Sequence, residues 1–198
     1  MPVCKDREYR SVVAPLAVID TTKRIDTDYY VEGYATTFDQ PYVMWELEDG
    51  TKFYEKIDRH ALDNADMSDV IMQYDHEGRV YARQSNGTLQ LIIDERGLLI
   101  AADLSKTELA KGLYQDIKER MITKMSWAFV VAEDSYDRET RTRTILKVKK
   151  VYDVSAVSIP ANDDTTIAAR NYASRSYEAE QREQLEKRIK LLAIKATL

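Results

Sequence analysis

The sequence predicts a mixed, β-rich fold: a β-barrel or sandwich with α-helices at its periphery. Its first half reads as short runs of β-forming residues separated by turn residues, one strongly periodic helix interrupts the second half, and the order of elements is irregular. A doubly wound nucleotide-binding sheet would need strands and helices to alternate regularly, and they do not. At 198 residues, 44% of them hydrophobic and 32% charged, the chain suits one domain with a sizeable core rather than two.

Taken in order, residues 9–19 hold an apolar run, and Tyr29–Phe38 alternates β-formers with small residues before the turn Asp39-Gln40-Pro41. Val43–Leu47 and Thr51–Tyr54 form a hairpin through Glu48-Asp49-Gly50. Ile57–Ala65 reads as a short helix. Further strands are expected at Val70–Tyr74, Arg79–Arg83, Thr88–Ile93 and Leu98–Ala102, with turns at Asn86-Gly87 and Arg96-Gly97.

The clearest helix spans Lys106 to Met121. Ser105 and Glu108 have capping-box spacing, and Leu109, Leu113, Ile117 and Met121 recur every four residues on one face expected to pack on the sheet. Strands resume at Lys124–Ala132, at Arg141–Val151, and at Val154–Ile159 before Pro160 stops the pairing; Asp163-Asp164 read as turn acids.

After about Asn171 the composition changes, which divides the chain into a domain of residues 1–172 and a helical tail of residues 173–198. The tail has no Gly or Pro, is acidic early and basic late, and carries Glu183/Lys187 and Glu186/Lys190 pairs four apart. Leu185, Ile189, Leu192 and Ala196 follow the 4-3-4 seam of a short coiled coil or of a helix docked on its own domain.

A formal net charge of -5 argues against general nucleic-acid binding, which needs Lys and Arg gathered on one face. The single cysteine, Cys4, excludes an intrachain disulfide framework or a cysteine-rich zinc site, fits a reducing compartment and reads as inert. No apolar run approaches the ~18–20 residues that span a bilayer, and the N-terminal segment lacks a signal-peptide core, so a cytoplasmic protein is expected.

Three segments carry candidate chemistry: YDHEGRVYA around His76, MSWAF around Ser126 and YDVSAVSIPAN around Asp153. A serine hydroxyl attacks a carbonyl when an imidazole takes its proton, and a carboxylate can orient that imidazole and stabilise the imidazolium; the three residue types therefore point to a serine peptidase. Only His60 and His76 can supply the imidazole, and His76, at the end of an apolar strand, is the better placed. Asp75 is not its natural orienter, because neighbours on an extended strand point to opposite faces. On the strand around Ser126, the large side chains Met125, Trp127, Phe129 and Val131 share one face, which leaves Ser126 among small residues on the other. Asp153 lies on the face of Ser155 and Val157. Each of the three also has an ordinary reading: a strand-end histidine, a strand serine bonded to its neighbours, and an aspartate that binds nearby amides.

At these residues the chain resembles the prohead maturation proteases of tailed bacteriophages, serine peptidases related in fold to the herpesvirus assemblins. The matching stretches, in order, are VEGYATTFD, FYEKIDRHAL, YDHEGRVYA, DERGLLIAADL, MSWAF and YDVSAVSIPAN, covering residues 29–170, with fifty residues between His76 and Ser126. The resemblance implies an assemblin-like β-barrel with peripheral helices and gives His76 and Ser126 catalytic roles. The family's third member is commonly a glutamate before a Val-Ser pair, and Asp153 stands there, with His60 as a weak rival. Assemblin-like enzymes use a second histidine instead. It also implies an enzyme acting inside the immature capsid in the host bacterial cytoplasm, cutting scaffold or capsid precursor segments and itself. Backbone amides or an arginine would form the oxyanion hole. No metal or organic cofactor, no membrane and no direct nucleic-acid contact is implied, and self-association would run through the C-terminal helix. The alternative from another class is a non-enzymatic capsid-assembly or scaffold-binding protein that keeps the fold. A carboxylate glycosidase ranks third, since nothing singles out a pair among the 34 acidic residues.

Overall fold

The computed structural model describes residues 7–18, 23–158 and 163–196. Among them it places eleven strands and two α-helices: β1 (Glu8–Pro15), β2 (Ala17–Val18), β3 (Tyr30–Thr37), β4 (Tyr42–Glu46), β5 (Lys52–Ile57), β6 (Ile71–Tyr74), β7 (Glu77–Arg83), β8 (Leu89–Ile93), β9 (Gly97–Asp103), α1 (Glu108–Lys118), β10 (Lys124–Asp137), β11 (Thr142–Val157) and α2 (Asp163–Ala196). Cys4, Ile19 and the Ile159-Pro160 strand end lie outside the described residues.

One sheet runs β1-β10-β11-β5-β4, and the β6–β7 hairpin joins it where β6 pairs with β11; the other runs β2-β3-β9-β8. Most pairings are antiparallel, while β5 and β6 run parallel to β11. The expected β-rich class stands. The closed barrel does not: β1 and β4 end the larger path without meeting, and the two sheets adjoin where β3 lies against β1 and β10. Between them sits a core that includes Val31, Ile57, Leu62, Met72, Ile100, Met125, Trp127 and Phe129.

Several local expectations are corrected. Residues 58–64 form successive turns rather than a helix, with Asp58 capping the first through its bond from the His60 amide. The second helix begins at Asp163, so Asp163 and Asp164 open it instead of forming a turn. In α1 the N-cap is Thr107, whose side chain accepts from the Ala110 amide, not Ser105. Its buried face is Ala110, Leu113, Tyr114 and Ile117, while Leu109 and Met121 are exposed: a strict four-residue repeat drifts around a helix of 3.6 residues per turn, and the 3-1-3 spacing keeps to one stripe.

The two strands expected on either side of Tyr152 are one. β11 continues for 16 residues, and its register against β10 skips Tyr152, with Ala128 opposite Asp153 but Phe129 opposite Val151. Such a β-bulge turns the strand and resets which side chains face the sheet's two sides.

Close approach fixes one glycine. A Cβ on Gly97 would stand 2.0 Å from the Thr36 carbonyl oxygen on the neighbouring strand β3. Gly97→Ala is therefore expected to destabilise the domain by about 1–3 kcal/mol through overpacking, measured as a lower urea midpoint, whereas Gly112→Ala, which meets nothing within 4 Å, should not lower it.

Candidate active site

His76 is carried by a tight turn. The β6–β7 hairpin pairs Tyr74 with Glu77, leaving Asp75 and His76 as its two loop residues, with φ of 47° and 60°. Two consecutive left-handed residues are the signature of a type I′ hairpin turn, which matches strand twist but disfavours most side chains. The turn is tied to the end of β11: Asp75 accepts from the Ser158 amide at 3.0 Å and from the Ser158 hydroxyl at 2.9 Å, and its own amide donates to the Ala156 carbonyl. Asp75 thus holds the loop without touching the imidazole.

Because β6 pairs in parallel with β11 from Asp153 to Ala156, the turn at its end delivers the His76 ring to the face of β10 and β11 that carries Ser126 and Asp153. The ring bridges the two. Its Nδ1 lies 2.5 Å from Asp153 Oδ1 and its Nε2 lies 2.7 Å from Ser126 Oγ. A carboxylate only accepts, so Nδ1 carries the hydrogen; in a neutral ring Nε2 then accepts from the serine hydroxyl. Ser155, the register partner of Ser126 on β11, donates its hydroxyl to the same Asp153 oxygen at 2.8 Å.

The three groups are enclosed. Ser126 is 2% exposed, and the side chains of His76 and Asp153 are 4% and 3% exposed. Tyr9 of β1 packs edge-on against the imidazole, with ring centroids 4.6 Å apart. Enclosure strengthens each electrostatic contact, and it also means that a peptide carbonyl reaches Ser126 Oγ only when part of the cover moves. His60 sits elsewhere, exposed, 3.1 Å from Asp63 on the rim of a 370 Å³ cleft that no hydroxyl or thiol side chain lines. Among the described residues no His, Cys, Asp and Glu cluster suited to a metal is present.

Sequence reasoning missed a second polar cluster, on the opposite face of the same strands. Arg10 donates to both Glu55 oxygens at 2.5 and 2.9 Å and to Glu8 at 2.5 Å. Arg143 donates to Glu8 at 2.8 and 3.1 Å, to Glu55 at 3.0 Å and to Asp134 at 2.6 Å. The Tyr42 hydroxyl also donates to Glu55. Burial pushes the Glu55 carboxyl up, but the Arg10 and Arg143 charges outweigh it and hold it down to about 2. Both guanidiniums are held above their ordinary value against the same burial by these carboxylates. Helix α2 closes the cluster, with the Tyr172 ring 4.5 Å from the Arg143 guanidinium and Glu180 bonded to Tyr136 and Arg141. The inward alternation of Phe53, Glu55 and Ile57 on β5 was the available signal.

Comparison with family models matches residues 18–182 to the caudovirus prohead serine protease model. The chain belongs to that family. Comparison with curated proteins and with solved structures returned no match. As a member of a serine peptidase family the chain is read as a hydrolase of capsid maturation. Among the described residues no helix is long and apolar enough to cross a membrane.

The prohead protease domain should lose stability in acid through Glu55. Its folded value lies below the ordinary 4.5, so its contribution is complete above about 4.5 and disappears as pH falls towards 2. Glu55→Gln leaves two buried guanidiniums short of a counter-charge and should cost about 3–5 kcal/mol at pH 7; urea unfolding from pH 7 to 3 should show a smaller acid-dependent loss in the variant than in the wild type.

Proposed function

We propose that this prohead protease is the endopeptidase that trims scaffold or capsid precursor segments, and itself, with Ser126 as nucleophile, His76 as general base and acid, and Asp153 as the group that orients and stabilises His76. The carrying observation is the unbroken run of hydrogen bonds from Asp153 through His76 to Ser126. Neutral His76 Nε2 takes the Ser126 proton as Oγ attacks the scissile carbonyl. The imidazolium, held by Asp153, then gives that proton to the leaving amine, which frees the first product and leaves an acyl-serine. A water enters, loses its proton to Nε2 and attacks the acyl carbon, and Ser126 recovers the proton as the second product leaves. Trimming would take place inside the immature capsid in the host cytoplasm, where removal of scaffold contacts frees the shell to expand. The family membership supports this setting.

The tail of residues 173–198 is proposed as a self-association or scaffold-binding element. Helix α2, to which it belongs, lies against β1 and β4, and Glu183 pairs with Arg138, while Leu185, Ile189 and Leu192 beyond are more than half exposed. An apolar seam of this spacing suits a partner helix. This surface also supports the runner-up reading of a non-enzymatic assembly protein, which catalysis tests would separate.

The decisive experiment is co-expression with the capsid and scaffold precursors of the same phage, followed by mass measurement of every chain. Ser126→Ala and His76→Ala should each abolish trimming and self-cleavage with folding retained, and the double variant should lose no more than either single one. Asp153→Asn should lose less than either, because the carboxylate forms no bond to substrate; cleavage that survives Ser126→Ala would place the nucleophile elsewhere. Ending the chain after residue 184 should leave thermal unfolding and cleavage unchanged while reducing the molar mass seen by light scattering.

A further inference from the structure

Ser155 has no part in the scheme above, yet it is fully buried and its hydroxyl is spent on one atom: it donates to Asp153 Oδ1 at 2.8 Å, the oxygen that also receives His76 Nδ1 at 2.5 Å. Asp153 and Ser155 are two apart on β11, so their side chains leave the same face of the strand. Ser155 is also the register partner of Ser126 on β10, which puts its hydroxyl beside the reacting groups and not at a remote packing position. An aspartate carboxylate turns about χ1 and χ2 and has a second oxygen to offer. A second donor on Oδ1, from a strand that cannot shift, selects the one rotamer in which that oxygen faces the imidazole. The bulge at Tyr152 immediately precedes this pair and brings Asp153 onto the catalytic face.

We infer that Ser155 is a positioning residue for the reaction, its hydroxyl fixing the Asp153 carboxylate in the orientation that holds His76. The inference rests on the roles proposed for Ser126, His76 and Asp153. It extends them to a fourth side chain that neither accepts the serine proton nor touches the substrate. With Ser155 absent, Asp153 meets His76 in only a fraction of molecules, the imidazolium is stabilised less, and proton transfer from Ser126 slows.

The test follows phosphonylation of Ser126 by a small alkyl fluorophosphonate, measured by intact mass from pH 5 to 9 on the full chain. Ser155→Ala should slow labelling by about 10- to 100-fold, the scale of a misplaced catalytic group, without lowering the thermal midpoint enough to unfold the protein. Its acidic limb should move to lower pH, since an imidazolium held less well gives up its proton more readily. Ser155→Thr, which keeps the hydroxyl, should recover most of the rate. In an Asp153→Ala background Ser155→Ala should cost nothing further, because the group through which it acts is gone. An unchanged rate and profile in Ser155→Ala, a limb moved to higher pH, or an equal loss with and without Asp153 would each overturn the inference. If Ser155→Ala does not fold, Ser155→Cys, of similar size but a weaker donor, should give an intermediate rate, and a wild-type rate would again overturn it. Absence of labelling in the wild type, or labelling that persists in Ser126→Ala, removes the triad reading and the inference with it.

Discussion

The antiparallel pairing of β10 with β11 organises both the fold and the candidate site. It sets Ser126 opposite Ser155 and Ala128 opposite Asp153, so the hydroxyl and the carboxylate leave one face of the sheet two register positions apart. The same β11 receives β6 in parallel, and that contact, with the Asp75–Ser158 bonds, brings His76, fifty residues away in sequence from Ser126, into reach of both. A one-residue slip between β10 and β11 would send the serine and the aspartate to opposite faces. The 14- and 16-residue lengths of the two strands make such a slip costly, because it would turn Trp127 and Phe129 out of the core at the same time.

The other face of these strands carries the buried ion cluster, whose two guanidiniums and three carboxylates come from β1, β5, β10 and β11. Burying charges is expensive and their mutual attraction roughly balances that cost, so the cluster is better understood as a device for specificity than as a source of net stability. It admits one register of β1 against β10, since Glu8 and Arg10 must both face inwards. That register is the one that turns Tyr9 towards His76. Through Tyr172 and Glu180 the cluster and its rim also receive the first half of α2, so the tail helix and the candidate site are built on opposite sides of the same strands.

Enclosure gives the candidate site its chemical character. A hydroxyl, an imidazole and a carboxylate in line, each almost without solvent, interact far more strongly than they would at a surface. The cost is borne by a hairpin turn in which Asp75 and His76 both adopt left-handed backbone, held down by the Asp75–Ser158 bonds. Among the described residues β10 is the one ladder partner of the edge strand β1, whose Tyr9 covers the ring.

What depends on near neighbours was legible in the sequence: the strand runs, the periodic helix expected over residues 106–121 and found over 108–118, and the two faces of the strand at Ser126. It misplaced the helix cap, took the turns at 58–64 for a helix and split β11 at Tyr152, because a bulge and a strand end look alike until the partner strand is present. It gave no sight of the Glu8–Arg10–Glu55–Arg143 cluster or of the bond from Ser155 to Asp153. Those rest on contacts distant in sequence, as do the open sheets in place of a closed barrel and the meeting of His76 with Ser126 and Asp153. The physical reason is that hydrophobic period and turn chemistry are written within a few residues of one another, whereas the partner of a buried charge or of an imidazole nitrogen is chosen by strand register between segments fifty or more residues apart.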